Sequence, residues 1–200
     1  DPNQAKAYRL LGIIAHKYYK RDLAQQLLTR AIEINPSDID AYIELGIAMK
    51  YGSELDPSRA QNAIEIFEMA FKIDPSCARP LMMIVGVLIE HNSLDQALVI
   101  ADLAVEVEPQ STHSHVARAN VLKLQGNTLE ALSEYKIALL CDSNCALALA
   151  GLAELGKHKD NSQESQDLIK QIKACLKNQL LRSDEISLNF ALAKIYDEQT

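Results

Sequence analysis

Apolar residues along this chain recur at spacings of three and four, in segments that short polar turns separate. Such spacing places the apolar residues on one face of an α-helix. The first two predicted helices cover about 4–18 and 22–34. Pro36 ends the second helix, because a proline disfavours the helical conformation of the residue before it. The segments come in pairs, and the sequence therefore predicts a series of amphipathic helix pairs.

The helix pairs recur with a period of about 34 residues. A single unit of this size cannot bury its own apolar face, so copies must stack into an array. Small residues let the paired helices approach closely, and large ones fill the remaining gaps. The recurring positions are therefore packing positions, which lowers the expectation of an enzyme. In the first two units they are Tyr8, Leu11, Gly12, Ala24, Leu28, Ala31 and Pro36, and then Tyr42, Leu45, Gly46, Ala63, Phe67, Ala70 and Pro75.

These positions resemble the pattern of the tetratricopeptide repeat (TPR) family. The resemblance implies an all-α fold, a right-handed superhelical solenoid of antiparallel helix pairs. Asp1-Pro2-Asn3 repeats the turn that closes the first unit, so we expect a fragment of a longer array. The whole of 1–200 is predicted to be a single TPR array, with five repeats and a partial sixth. The expected repeats are about 5–38, 39–77, 78–111, 112–145 and 146–178, followed by a terminal helix at about 184–197.

Three repeats depart from the pattern. The second carries extra residues around 51–59, and Asp56-Pro57 there predicts a helix start, so the second helix is either longer or entered through a wider loop. In the third, Val85 stands where glycine is usual and Gly86 follows one place later. The fifth degrades through the polar run 158–163, which predicts a loop.

Charge and composition exclude several functions. Lys and Arg total 20 against 27 Asp and Glu, giving a net charge of -7, which argues against binding to nucleic acid or an anionic membrane. The longest apolar stretch, 81–89, is too short to insert across a bilayer. Cys77, Cys141, Cys145 and Cys175 form no CxxC pair, so we expect reduced thiols in a cytoplasmic protein with no metal or cofactor.

No catalytic constellation is visible in the sequence. It has no Gly-rich phosphate loop, no Gly-x-Ser-x-Gly and no His-Glu-x-x-His. His113 and His115 are two residues apart and turn to different faces of a helix, so we expect surface or groove histidines. The carboxylates are expected on solvated helix faces. We predict that this fragment is not an enzyme, while a catalytic domain outside it remains open.

In the TPR family the first helix of each repeat lines a concave groove. The corresponding residues here combine an apolar stripe with a basic margin, which favours a partner peptide or helix with apolar anchors and some acidic character. The alternative is that some of the isoleucines pack against neighbouring repeats or cover another segment of the same chain. The resemblance thus implies a protein-interaction scaffold, whose candidate partner-binding residues are Arg9, Ile13, His16, Ile43, Ile47, Lys50, Arg79, Met82, Ile89, Val116, Asn120 and Lys123.

Two known family functions do not fit. The clamp that holds the C-terminal carboxylate of heat-shock chaperones requires Lys and Asn where this chain has Arg9 and Ile13. The asparagine ladder of the N-acetylglucosamine transferase is absent, and one of its places holds Glu44.

Two further hypotheses concern the ends of the chain. The segment 172–196 is similar to the one that joins TPR arrays to a sulfotransferase domain in some bacterial fusion proteins. It includes Phe-Ala-Leu-Ala-Lys at 190–194, where family members often have Phe-Ala-Leu-Gly-Lys. This similarity implies an alternative function, the noncatalytic arm of a larger enzyme. Uncovered end repeats would also allow self-association.

Overall fold

A computed structural model describes residues 2–50, 57–156 and 162–199, and in these ranges the regular secondary structure is entirely α-helical. Most of the insertion predicted around 51–59, namely 51–56, and most of the loop predicted at 158–163, namely 158–161, lie outside the described residues. The helices are α1 (Pro2–Lys17), α2 (Arg21–Ile34), α3 (Ile39–Lys50), α4 (Pro57–Ile73), α5 (Arg79–Glu90), α6 (Leu94–Val107), α7 (Thr112–Leu124), α8 (Thr128–Cys141), α9 (Ala146–Leu155), α10 (Gln163–Cys175) and α11 (Arg182–Gln199).

Turns within the helix pairs share one backbone feature. Tyr19, Asn92 and Gly126 occupy the same place in their repeats, just after the first helix, and have positive φ angles of 58°, 55° and 83°. A residue in the left-handed region ends a helix by redirecting the chain, and glycine adopts this conformation at the lowest cost. The turn geometry therefore repeats along the chain although only one of these three positions is a glycine.

Contacts between helices divide the chain into two compact units, an N-terminal unit (Asp1–Glu108) and a C-terminal unit (Pro109–Thr200). In the N-terminal unit, α1 packs on α2, α3 on α4 and α5 on α6. Each second helix also contacts the first helix of the next pair, as α2 does α3 and α4 does α5. This connectivity is the stacking of helix pairs that the period of the sequence predicts. α4 has 17 residues and begins at Pro57, so the longer second helix, one of the two predicted alternatives, is observed.

Close helix approach depends on glycine in the first two repeats. A Cβ atom on Gly12 would lie 2.6 Å from Cγ of Leu28, and one on Gly46 would lie 2.4 Å from Cε1 of Phe67. Leu28 and Phe67 are fully buried in their second helices. The first helix thus contributes the small residue, and the second helix fills the space with a large one.

The third repeat reverses these sizes. Val85 is buried in α5, and Ala101 is buried in α6 at the repeat position that Leu28 occupies in α2. Gly86, next to Val85, has nothing within 4 Å of an added Cβ. The departure from the sequence pattern is therefore an exchange of large and small residues between the two helices, and Gly86 has no packing role.

In the C-terminal unit α7 packs on α8, and α8 on α9, as in the other repeats. The end of the unit differs, because α9 packs mainly against α11 and less against α10. Leu188 and Ile195 of α11 are fully buried, and Nζ of Lys194 donates to the carbonyl oxygens of Ala153, at 3.3 Å, and of Glu154. α11 therefore covers α9, whereas adjacent first helices elsewhere in the chain touch only slightly.

No helix in the described ranges is long and apolar enough to cross a membrane.

Candidate protein-interaction surface

Nine of the predicted groove residues lie on the first helices of the N-terminal unit, α1, α3 and α5; we call this surface the first-helix face. Ile43 is only 4% exposed and is a packing residue of α3. Arg79 is exposed, and the other residues are half-buried. The face thus presents a partly accessible apolar surface among polar groups. Its residues are Arg9, Ile13, His16, Ile43, Ile47, Lys50, Arg79, Met82 and Ile89.

An ion-pair chain ties the three helices of this face together. Arg9 of α1 donates from Nη1 to Oδ2 of Asp40 on α3 at 2.6 Å, and its Nε lies 3.3 Å from Oδ2 of Asp38. Arg79, at the start of α5, donates to the other oxygen of Asp40. This hydrogen bond from Arg79, with the charges of Arg79 and Arg9, lowers the pKa of the Asp40 carboxyl. A single carboxylate therefore engages both arginines.

Lys50 is also paired. Its Nζ lies 2.6 Å from Oε1 of Glu90, at the end of α5. The basic margin that the sequence suggested is consequently matched by carboxylates, most of which lie in a neighbouring repeat. Because each cation and its carboxylate lie far apart in sequence, no local pattern predicts that they will pair. The sequence alone therefore indicates the cations and not their partners.

Glu44 lies one turn after Asp40 on α3 and is half-buried. Burial raises the pKa of its carboxyl, although the charges of Arg79, His16 and Arg9 act in the opposite direction. Those charges lie within electrostatic range, yet Glu44 forms no hydrogen bond or ion pair with any residue that the structure describes. Glu44 therefore belongs to the first-helix face. Its carboxylate accepts no hydrogen bond from the described residues of that face.

The remaining groove predictions fall in the C-terminal unit. Val116 is only 5% exposed and is a packing residue of α7. Asn120 accepts a hydrogen bond of 2.5 Å from the hydroxyl of Tyr135, whose pKa burial raises to about 12. Lys123 pairs with Glu154 at 2.8 Å. Asn120 and Lys123 thus hold α7 to its neighbours as well as facing solvent.

A cleft of about 500 Å³ lies between α7, α9 and α11. Its lining includes Asn120 and Lys123 of α7, Leu147 and Ala150 of α9, and Phe190 of α11. On this unit the predicted groove is therefore bounded by the chain's own last helix.

One buried polar cluster was not foreseen. His115 is 5% exposed, so its expected place at the surface or in the groove is wrong. Its Nδ1 lies 2.8 Å from Oε2 of Glu134, and its Nε2 lies 3.0 Å from the carbonyl oxygen of Pro109. Arg118 donates to Oε1 of Glu134 at 2.6 Å. Glu134 is also buried, contrary to the expected solvated carboxylates.

Groups suited to metal binding or thiol chemistry are few. Within 2–50, 57–156 and 162–199, no three His, Cys, Asp or Glu residues are arranged to hold a metal ion. The cysteines are free thiols, and burial raises the pKa of Cys145 and Cys175, which keeps both protonated.

Comparison with known proteins gives a result at the level of structure. No family model and no curated protein matches the chain. Yeast Tom70 superposes with a TM-score of 0.76 at 20% identity, over 98% of this chain and 41% of that one. TTC0263, a thermophilic TPR protein of Thermus thermophilus, gives 0.67 at 20% identity, over 94% and 99%. YrrB, described as a TPR protein with an unusual peptide-binding site, gives 0.56 at 18% identity, over 93% and 90%.

Proposed function

We propose, starting from the TPR solenoid fold that these similarities show for this chain, that its first-helix face binds a peptide or helix of a partner protein. TPR neighbours support a protein-interaction scaffold in general. The finer assignment is supported by the half-buried apolar residues Ile13, Ile47 and Met82, which lie among charged groups. A partly exposed apolar surface with a polar rim is typical of an interaction site.

Open space on the face also favours a ligand. Gly86 on α5 would accept a Cβ with nothing within 4 Å, so the backbone there is accessible to a partner. Buried apolar anchors contribute most of the affinity of such interfaces, whereas rim charges act mainly on orientation and association rate. We therefore assign the affinity to Ile47 and Met82.

The acidic character of the partner stays a prediction, and the ion pairs weaken its basis. Arg9 and Arg79 already bind Asp40, and Lys50 binds Glu90. An acidic peptide would have to compete with these carboxylates.

Two substitutions test the groove. Ile47→Glu and Met82→Glu place an unpaired charge against the apolar anchors of a partner and should abolish its capture from a lysate of the source cells. Val99→Glu is the matched control, because Val99 is an exposed apolar residue on the second helix α6. Helicity measured by circular dichroism should be the same in all variants. Capture of the same proteins by the Met82→Glu and wild-type chains would refute the proposal.

The alternative function, a noncatalytic arm of a larger enzyme such as a sulfotransferase-type fusion, has less support. Part of its sequence basis, 190–194, lies in α11, where Ala191 is buried and Lys194 binds carbonyl oxygens of α9. Helix packing accounts for Ala191 and Lys194, whereas Phe190 is 73% exposed.

Self-association through the end repeats stays a prediction too. Leu11 and Ile14 of α1 are about half exposed, at 51% and 50%, whereas the equivalent Leu45 and Ala48 of α3 are buried. An apolar surface is thus present on α1 for a second copy to contact.

A further inference from the structure

Glu44 has an environment that stability alone does not explain. A half-buried carboxylate loses part of its hydration, and the loss is compensated only if the carboxylate accepts hydrogen bonds or pairs with a cation. Glu44 does neither with the residues that the structure describes. Burial accordingly disfavours its charged form. Local features that cost stability without a compensating contact are concentrated at functional sites.

Neighbouring cations are committed elsewhere. Arg79 and Arg9 both donate to Asp40, and Lys50 pairs with Glu90. Swinging either arginine toward Glu44 would break its bond to Asp40 and loosen the link between the first helices. Arg9, Arg79 and Lys50 therefore cannot satisfy Glu44 without breaking these pairs, and His16 acts on it only through its charge, so a cation that bonds to Glu44 can come from a ligand.

Apolar groups lie next to this charge. Ile47 follows Glu44 by three residues on α3, so the two side chains are neighbours on the same helix face. Met82, on α5, is likewise half-buried on the first-helix face. A ligand that reaches Glu44 consequently passes along apolar surface as well.

We propose that Glu44 receives a lysine or arginine side chain of the bound peptide, while an adjacent apolar residue of that peptide contacts Ile47 and Met82. This inference rests on the proposed peptide-binding function and names the charge of its ligand. The pairing is favourable because a carboxylate that is already partly dehydrated gives up little further hydration when the cation arrives. The ligand is thus basic at this position, whereas the basic residues of the groove had suggested an acidic partner.

The proposal predicts opposite effects of one substitution on stability and on binding. Glu44→Gln keeps the size of the side chain and removes the charge. The free protein should become more stable, since no favourable ion pair is lost and a dehydrated charge is removed. Peptide binding should weaken about tenfold, the effect of losing one partly exposed charge-assisted hydrogen bond. A carboxylate with a purely structural role would not give this combination.

The probe is a random 12-residue peptide library displayed on phage and selected on the 200-residue chain. Enriched peptides should carry Lys or Arg beside an apolar residue. The dissociation constant of the tightest one is then measured by fluorescence anisotropy on the wild type, Glu44→Gln and Glu44→Lys. Changing the peptide's Lys or Arg to Glu should weaken binding to the wild type and restore it to Glu44→Lys. Glu68→Gln, which alters an exposed carboxylate of α4, is the control and should change nothing.

Each other outcome has a defined meaning. If the peptides lose binding to Met82→Glu but bind Glu44→Gln as tightly as the wild type, the assignment of Glu44 is wrong and the groove stands. Enrichment of acidic peptides that depend on Met82 leads to the same conclusion. If no enriched peptide depends on Ile47 or Met82, both the groove and the role of Glu44 are overturned.

Discussion

The same substitution at two glycines of the first helices should change stability in opposite directions. Gly46 on α3 and Gly86 on α5 both lie inside a helix, where replacing glycine by alanine stabilises by about 0.8–1 kcal/mol through helix propensity. A Cβ on Gly86 meets nothing within 4 Å, so Gly86→Ala should gain this amount in full. At Gly46 the new methyl group meets the ring of Phe67 at 2.4, 2.7 and 2.9 Å.

Overpacking should dominate at Gly46. To reach the ordinary contact distance of 3.4 Å the ring must move away from the new Cβ, and because Phe67 is fully buried, that movement shifts its packed neighbours as well. Inserting a methyl group into a packed core costs about 1–3 kcal/mol. After the propensity gain, Gly46→Ala should be destabilised by up to about 2 kcal/mol. Because the propensity gain is common to both variants, their difference of about 1–3 kcal/mol measures the overpacking alone.

Urea titration followed by far-ultraviolet circular dichroism is the suitable assay, with the slope compared among variants to verify that the same structure unfolds. In thermal unfolding, the melting temperatures of Gly46→Ala and Gly86→Ala should differ by about 2–4 °C for each kcal/mol of difference in stability. Adding Phe67→Leu to Gly46→Ala should recover part of the loss, and Phe67→Leu alone is its control. Equal stability of Gly46→Ala and Gly86→Ala would refute the idea that close packing selects glycine at Gly46.

Two more predictions concern charged groups. Glu134→Ala should destabilise the protein by about 3 kcal/mol in urea titration, because it leaves His115 and Arg118 without their carboxylate; a loss below about 1 kcal/mol, as for an exposed ion pair, would contradict this account. The lowered pKa of Asp40 means that its pairing with Arg79 stabilises the fold above its ordinary carboxyl pKa of 3.8 and that this contribution disappears as the pH falls through the lower folded value. In an acid titration, Asp40→Asn should not show that loss of stability. An acid transition identical to that of the wild type would show that the pair contributes nothing.

Local features of the sequence predicted the helices well. The predicted second helix, 22–34, is observed as Arg21–Ile34, and the terminal helix, 184–197, as Arg182–Gln199. Apolar spacing and prolines act within a few residues of the chain, so they can be read without knowledge of the fold. The period also identified Gly46 and Phe67 as packing positions, because stacked copies reuse the same contacts.

Distant packing produced the departures. The large residue that fills the third repeat comes from α5 and not from α6, and α11 packs on α9 although α10 is nearer in sequence. Both outcomes depend on the volume left between helices after they associate, which no local pattern encodes.

Sequence by itself therefore determined that this protein is an array of helix pairs and which side chains its first helices could present. Tertiary structure alone decided how much of each of these side chains remains accessible to a partner. Ile43 is buried by packing, and Arg9 and Arg79 are bound by Asp40. Glu44 is half-buried and forms no such bond with the residues that the structure describes. The reason is physical: helix formation follows from interactions between near neighbours, whereas burial and charge pairing are settled by residues that only stacking brings together.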